Sequence, residues 1–285
     1  IKFSGFIQSE GISSDPWSGI VINDNTGNSI ISYAIIQNAR SDYGGGISII
    51  DCSPTIEHTT IRDNEADELG GGIYMVNSGS TLNNVVFNNN VASSGGGLMI
   101  SSSSPTLNNV EYYNNTASSG GGIYSYESTA EINTAIFKNN TALYAGGGAI
   151  KTRFCGSDFI LTNGLFVGNS GQWGSALEIR DESTPVFHNL TMYSQDSDAT
   201  YPGAIYIWSN SHPEIKNSIL WNENIPEIYL SDIGTDGGVL NNVTLSYSDV
   251  QFGEDDITGI INGGSSDFTW DDTNITGDPL FIEPE

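Results

Sequence analysis

The residues with the clearest chemical potential recur at nearly constant intervals, in two parallel series. One series steps through positions 124, 151, 178 and 206, and the other through 126, 153, 180 and 208. Together they contain three of the chain's eight basic residues, one carboxylate and four aromatic rings. If each interval is one turn of a repeating fold, the side chains form a single patch. Its members are Tyr124, Tyr126, Lys151, Arg153, Glu178, Arg180, Tyr206 and Trp208.

A patch of this kind has the chemistry of a carbohydrate-binding surface. Aromatic faces stack on the apolar faces of sugar rings, while arginine and glutamate hydrogen-bond hydroxyl or carboxylate groups. With strands ~4.8 Å apart, the patch extends over ~15 Å, about the length of three sugar units. The alternative is ordinary cross-strand packing, with Lys151 and Glu178 forming a surface ion pair of small value.

The element that must position these residues is a repeat led by glycine. Gly70-Gly71-Gly72 precedes Ile73-Tyr74, and similar segments recur along most of the chain. The apolar residue after the glycines advances in steps of 25 to 28 residues. So regular a period indicates a solenoid, in which each unit buries its apolar face against its neighbours. The apolar positions are 20, 47, 73, 98, 123, 150, 177 and 205.

Each repeat also contains short segments in which apolar and polar residues alternate. In one repeat these are Ile73-Tyr74-Met75, Thr81-Leu82 and Val85-Val86-Phe87. Alternation of period two is typical of strands, and no window has the spacing of an amphipathic helix. The sequence therefore predicts an all-β, right-handed parallel β-helix of about nine to ten coils, with ~26 residues and three short strands per coil.

Asparagines at matching positions are expected to stack in a hydrogen-bonded ladder along one turn of the coil. We interpret them as scaffold. The set is Asn38, Asn64, Asn90, Asn115, Asn140 and Asn169.

The overall charge limits the partners. Eight basic and 34 acidic residues give a formal charge of −26, which disfavours nucleic acid because phosphate binding needs clustered Lys and Arg. No apolar run approaches the ~20 residues of a membrane-spanning helix. Cys52 and Cys155 lie four repeats apart, ~19 Å at the usual strand spacing, whereas a disulfide needs Cα atoms within about 7 Å. They are expected to be free structural thiols.

Two regions are predicted, a solenoid over 1–248 and an acidic cap over 249–285 that covers the end of the core. The cap has ten acidic residues, with Phe268, Trp270 and Phe281 as apolar anchors. Its aspartates could ligate calcium, although their spacing matches no regular calcium loop and an acidic surface explains them equally. The chain begins within repeat-like sequence at Ile1, so we expect flanking domains beyond it.

Two motif types together resemble a known repeat class. Gly147-Gly148-Ala149-Ile150 and Phe137-Lys138-Asn139-Asn140 look like the polymorphic-outer-membrane-protein type of repeat, within the pectin-lyase-like superfamily of right-handed β-helices. Later segments are similar to secreted bacterial proteins that contain right-handed parallel β-helix repeats. These include Asn217-Ser218-Ile219-Leu220-Trp221-Asn222 and Gly277-Asp278-Pro279-Leu280-Phe281.

The resemblance implies an extracellular or bacterial cell-surface location and a carbohydrate as the commonest partner. Uronate lyases of this superfamily abstract a proton with Lys or Arg, which makes Arg153 and Arg180 candidate bases. A hydrolase would need carboxylates about 5–10 Å apart on one face, and Glu178 has no acidic neighbour in its series. The three hypotheses are a non-catalytic glycan-binding module of the adhesin or display type, a polysaccharide lyase or hydrolase, and a structural spacer.

Overall fold

The protein is an all-β parallel solenoid with three strands per coil and about eight turns, slightly fewer than the nine to ten expected. The structure is a computed structural model and describes residues 2–4, 16–23, 29–195, 203–222, 225–231, 241–260 and 267–279. The predicted anchor Phe281 lies outside the described residues. Within this described part, no helix is long and apolar enough to cross a membrane.

The largest sheet, here called the long-strand sheet, has fourteen described strands. These are Lys2–Ser4, Ile30–Ser32, Ile35–Gln37, Thr55–Arg62, Thr81–Asn88, Thr106–Tyr113, Ala130–Lys138, Phe159–Val167, Val186–Tyr193, Glu214–Lys216, Ile219–Trp221, Asn242–Ser246, Asp249–Val250 and Asp267–Trp270.

The second sheet, here called the glycine-led sheet, has ten described strands. These are Ile20–Asn23, Ile47–Ile50, Ile73–Val76, Leu98–Ser101, Ile123–Tyr126, Ile150–Arg153, Leu177–Arg180, Ile205–Trp208, Ile228–Ser231 and Ile257–Ile260.

The third sheet has six described strands and was not anticipated from the sequence. Its strands are Arg40–Tyr43, Glu65–Leu69, Val91–Ser94, Thr116–Ser119, Thr141–Ala142 and Ser170–Gly171. A single 3-10 turn, Gly253–Asp256, completes the described elements.

The composition of each coil corrects the sequence-based assignment. Thr81–Asn88 forms one strand rather than two, and it bends at Asn84, where φ is 54°. Because the bend inserts an extra outward residue, Leu82 and Val85 both point inward three positions apart. The third strand of the coil is Val91–Ser94, whose small residues give only a weak strand pattern.

Stacked aromatic rings fill the middle of the core. Phe87, Tyr112, Phe137 and Phe166 occupy one inward position in successive coils, with ring centroids 4.7 to 4.9 Å apart. All four side chains are fully buried. The centroid spacing matches the spacing of the strands that carry the rings, so in-register stacking of identical coils itself produces the ring stack.

An inner amide ladder runs beside the core. Each rung donates from Nδ2 to Oδ1 of the next rung at 3.0 Å and to a backbone carbonyl of an earlier coil. Its asparagines are Asn64, Asn90, Asn115, Asn140 and Asn169, and Gln195 continues the line. The prediction for Asn38 was wrong, because Asn38 occupies the left-handed turn position (φ 55°) and Ala39 takes the ladder position, donating its N–H to Asn64.

The described part of the predicted cap continues the coils. Asp249–Val250 pairs with Ile219–Trp221, Ile257–Ile260 pairs with Ile228–Ser231, and Asp267–Trp270 pairs with Asn242–Ser246. The predicted boundary at residue 248 stays a prediction.

Candidate functional site

The glycine corner brings the chain tightly against the outer surface of the glycine-led sheet. At Gly147 φ is +71°, and an added Cβ would lie 2.5 Å from the Ile150 carbonyl oxygen and 2.9 Å from the Lys151 Cβ. Only glycine combines this left-handed backbone with such a close approach. The corner therefore covers the first outward residue of the strand that follows it.

This cover divides the predicted patch into a buried series and a partly exposed one. Tyr124, Lys151, Glu178 and Tyr206 are between 0 and 9% exposed although they point away from the core. The second series remains partly exposed, and its members are Tyr126, Arg153, Arg180 and Trp208. Only these four of the eight predicted residues have side-chain surface that a ligand can contact.

The strand register brings the predicted residues together in the expected order. Tyr124 pairs with Lys151, Lys151 with Glu178, and Glu178 with Tyr206. In the second series, Arg153 lies between Tyr126 and Arg180 in adjacent coils.

The buried series contains an ion pair. Lys151 Nζ lies 2.8 Å from Glu178 Oε2, which also accepts a hydrogen bond from the Gly146 N–H at 3.1 Å. Glu178 Oε1 lies 3.5 Å from Arg180 Nη1, and the Lys151 ammonium stands 5.5 Å from the Tyr124 ring centroid. Burial lowers the pKa of Lys151, although the charge of Glu178 opposes this shift. The pair is therefore desolvated rather than the surface pair considered from the sequence.

Asp181 joins the two arginines and was not among the predicted site residues. Its Oδ2 accepts hydrogen bonds from Arg180 Nε at 3.0 Å and from Arg153 Nε. Burial alone would raise the pKa of Asp181, but the Arg153 hydrogen bond and the two guanidinium charges outweigh it, so this pKa is lowered. Asp181 directly follows its strand with a left-handed φ of 56°, a conformation that strand alternation cannot reveal.

An arginine–tryptophan stack lies in the partly exposed series of the site. The Arg180 guanidinium lies 3.9 Å from the Trp208 ring centroid, and the Arg153 guanidinium lies 5.7 Å from that of Tyr126. Trp173, which sequence analysis also missed, meets Trp208 edge to face at 6.0 Å. The Trp208 indole N–H is buried and has no hydrogen-bond partner among the described residues.

The charged cluster, defined as Lys151, Arg153, Glu178, Arg180 and Asp181, has three positive and two negative side chains. It is locally positive in a chain whose formal charge is −26. Arg153 and Arg180, the candidate lyase bases, both already donate to Asp181.

Other sequence-based candidates do not converge on this site. Cys52 and Cys155 are buried and free, as predicted. Cys155 Sγ contacts the carbonyl and hydroxyl oxygens of Ser125, which places it among small polar side chains. Across the described residues, no group of three or more His, Cys, Asp or Glu side chains could hold a metal ion.

The fold and the charged cluster together define the class: a three-stranded parallel β-helix with a buried ionic cluster on one outer face. Comparisons with known proteins yield no matching family model, no matching curated protein and no matching solved structure. The resemblance to polymorphic-outer-membrane-protein repeats and pectin-lyase-like proteins therefore stays an expectation beyond the fold itself.

Proposed function

We propose that this chain is an extracellular, non-catalytic β-helix module that binds a carbohydrate through the outer face of the glycine-led sheet. The contact residues are Tyr126, Arg153, Arg180 and Trp208, and the buried series supports them from below.

The observation that supports this proposal is a row in adjacent coils in which two neighbouring guanidinium groups are flanked by an aromatic ring at each end. Arg180 is held by Glu178, Asp181 and the Trp208 ring, so its position is fixed before any ligand arrives. A preorganised guanidinium loses little side-chain entropy on binding, and its remaining N–H groups can donate to sugar oxygens. Tyr126 and Trp208 offer aromatic surface on either side.

A structural spacer is the second candidate, because one observation favours it. Every charged side chain of the cluster faces an opposite charge within it, so the charges are paired without a ligand, although Glu178 Oε1 accepts no hydrogen bond from any described residue. A lyase remains an alternative, although Lys151 is only 4% exposed and both candidate arginines share Asp181.

A glycan array followed by an eliminase assay separates the three functions. Binding without release of unsaturated uronate supports the glycan-binding module, and release of unsaturated uronate supports the lyase. A negative result in both assays supports the spacer.

Two substitutions then locate the surface on the bound glycan. Trp208→Ala and Arg180→Ala are each expected to weaken binding at least about tenfold, because stacking and charged hydrogen bonds are lost. Trp208→Phe, which keeps an aromatic face, should retain most of the affinity. Trp221→Ala is the matched control, since Trp221 is a partly exposed tryptophan on the long-strand sheet. Equal affinity of all four variants would reject this surface.

A further inference from the structure

Four buried side-chain oxygens without partners lie in the last described turns of the long-strand sheet, and two of them, on Asp249 and Gln251, flank a single core residue. Strand Asp249–Val250 pairs with Ile219–Trp221, with Asp249 beside Ile219 and Val250 beside Leu220. Val250 is fully buried in the core, so Asp249 and Gln251, which flank it, point outward on the same side. Asp249 Oδ1 and Gln251 Oε1 are both buried, and neither accepts a hydrogen bond from any described residue.

The buried amide oxygen of Gln251 distinguishes this arrangement from an ordinary acidic surface. Its side chain is outward-facing, yet the residue is only 8% exposed. A buried acceptor without a partner costs free energy, and in native proteins such an oxygen usually faces a water molecule or an ion. These two acceptors lie two positions apart, at the start of one strand and directly after its end, which points to a common occupant.

The surroundings are rich in oxygen and negative in charge. The Gly277 backbone N–H donates to the Asp249 carboxylate, and burial together with the nearby charge of Asp278 raises the pKa of Asp249. Asp249 lines a cleft of about 490 Å³, together with Tyr247, Thr273 and other residues. Among the described residues that line this cleft, none is basic.

We propose that Asp249, Gln251 and Asp278 bind a divalent cation of the calcium type. Calcium prefers carboxylate, amide-carbonyl and water oxygens in flexible geometry, which this set can supply. With two carboxylates and one amide, the site stays below three acidic ligands, in keeping with the absence of a larger cluster in the described part of the chain. The cation would tie residues 277 and 278 to the preceding coil.

The test is binding of radioactive calcium to the whole chain at about 0.15 M NaCl, where diffuse attraction to the acidic surface is screened. One saturable site is expected. Asp249→Asn should weaken it at least about tenfold, Gln251→Leu should weaken it, and Gln251→Glu should strengthen it by adding a charge. Asp272→Asn, which alters an exposed tail aspartate, is the matched control and should leave the site unchanged.

Terbium luminescence gives an independent readout. Trp221 lies one coil below Gln251, because Leu220 pairs with Val250, so a bound terbium ion should be excited through Trp221. Trp221→Phe should reduce the emission without changing calcium affinity. Diffuse binding insensitive to Asp249→Asn and Gln251→Glu, or no binding at all, would mean that water occupies these oxygens and would overturn the proposal. Both results are independent of whether the outer face binds carbohydrate.

Discussion

The inner amide ladder and the outer charged cluster bury polar groups in the same coils by opposite means. In the ladder, a neutral amide recurs in each coil from Asn64 to Gln195, and each asparagine donates to the next amide at 3.0 to 3.1 Å. In the cluster, the charges occur in only two coils, at Lys151 and Arg153 and at Glu178, Arg180 and Asp181. Because the coils repeat, each amide finds a partner in the next coil, whereas the charges depend on a few particular neighbours that do not recur.

This difference has an energetic consequence. Burying an amide has a modest desolvation cost that one good hydrogen bond offsets, so a ladder can extend as long as coils are added. The desolvation cost of a buried charge is far larger, so buried charges are retained only with a matched partner. Stability should therefore depend on the ladder rung by rung and on the cluster as a unit.

The largest effect is expected from breaking the buried ion pair. Glu178→Leu leaves Lys151 buried without its carboxylate and should lower the free energy of unfolding by about 4 kcal/mol, measured by urea denaturation. The double variant Lys151→Met with Glu178→Leu removes both charges and should recover most of this loss. If the double variant is as unstable as the single one, the loss does not come from leaving Lys151 unpaired, and the two charges do not stabilise the fold as a pair.

Breaking one rung of the ladder should cost somewhat less. Asn115→Leu removes the acceptor for both the Asn90 N–H and its Nδ2, and removes the donor to the Phe87 carbonyl. We expect a loss of about 3 kcal/mol in the free energy of unfolding. Asn114→Asp, at the neighbouring exposed turn position, should change it by less than about 0.5 kcal/mol. Similar losses for both variants would contradict the ladder's role.

The corner between the two regions gives a third, smaller test. Gly147→Ala forces a side chain into a left-handed backbone and against Lys151, and should cost about 2 kcal/mol in thermal or urea unfolding. At Gly156 an added Cβ would meet nothing within 4 Å, so Gly156→Ala is the matched control and should be neutral. If Gly147→Ala does not change the free energy of unfolding, the glycine corner does not pack tightly over Lys151.

The smallest effect concerns pH and distinguishes the charged region from the neutral one. The pKa of Asp181 is lowered in the folded protein, so its contribution to stability is present above its unfolded pKa and is lost as the pH falls through the folded value. Asp181→Asn should therefore lose less stability than the parent chain in acid, in unfolding curves recorded below about pH 4. The stability of Asn115→Leu should fall in acid as steeply as that of the parent chain. If the stability of Asp181→Asn falls equally steeply, the arginines do not stabilise the ionised form of Asp181.

Much of the fold could be predicted because a repeat presents the same evidence many times. The steps of Ile73, Leu98 and Ile123 predicted the stacking, and their register is confirmed. The strand Val91–Ser94 escaped detection because its small and polar residues lack a clear apolar face. Asn38 was placed one position out, since a turn asparagine and a ladder asparagine look alike in sequence.

The sequence predicted that the eight candidate residues lie side by side, but not how deeply each is buried; their role in binding stays a prediction. Alternation correctly separated outward from inward residues, yet Glu178 points outward and is completely buried. Asp181 and Trp173 were not among the predicted site residues because they lie outside the strands, where the period of the strands no longer applies; Asp181 bonds to Arg180, and Trp173 packs against Trp208.

The sequence alone determined the stacking of coils and the order of residues along each column, because a constant period leaves one way for every repeat to bury its apolar face. Only the tertiary structure decided which outward residues solvent can reach. That depends on how closely the glycine corner folds over the sheet, a matter of backbone angles and turn geometry that residue type does not specify.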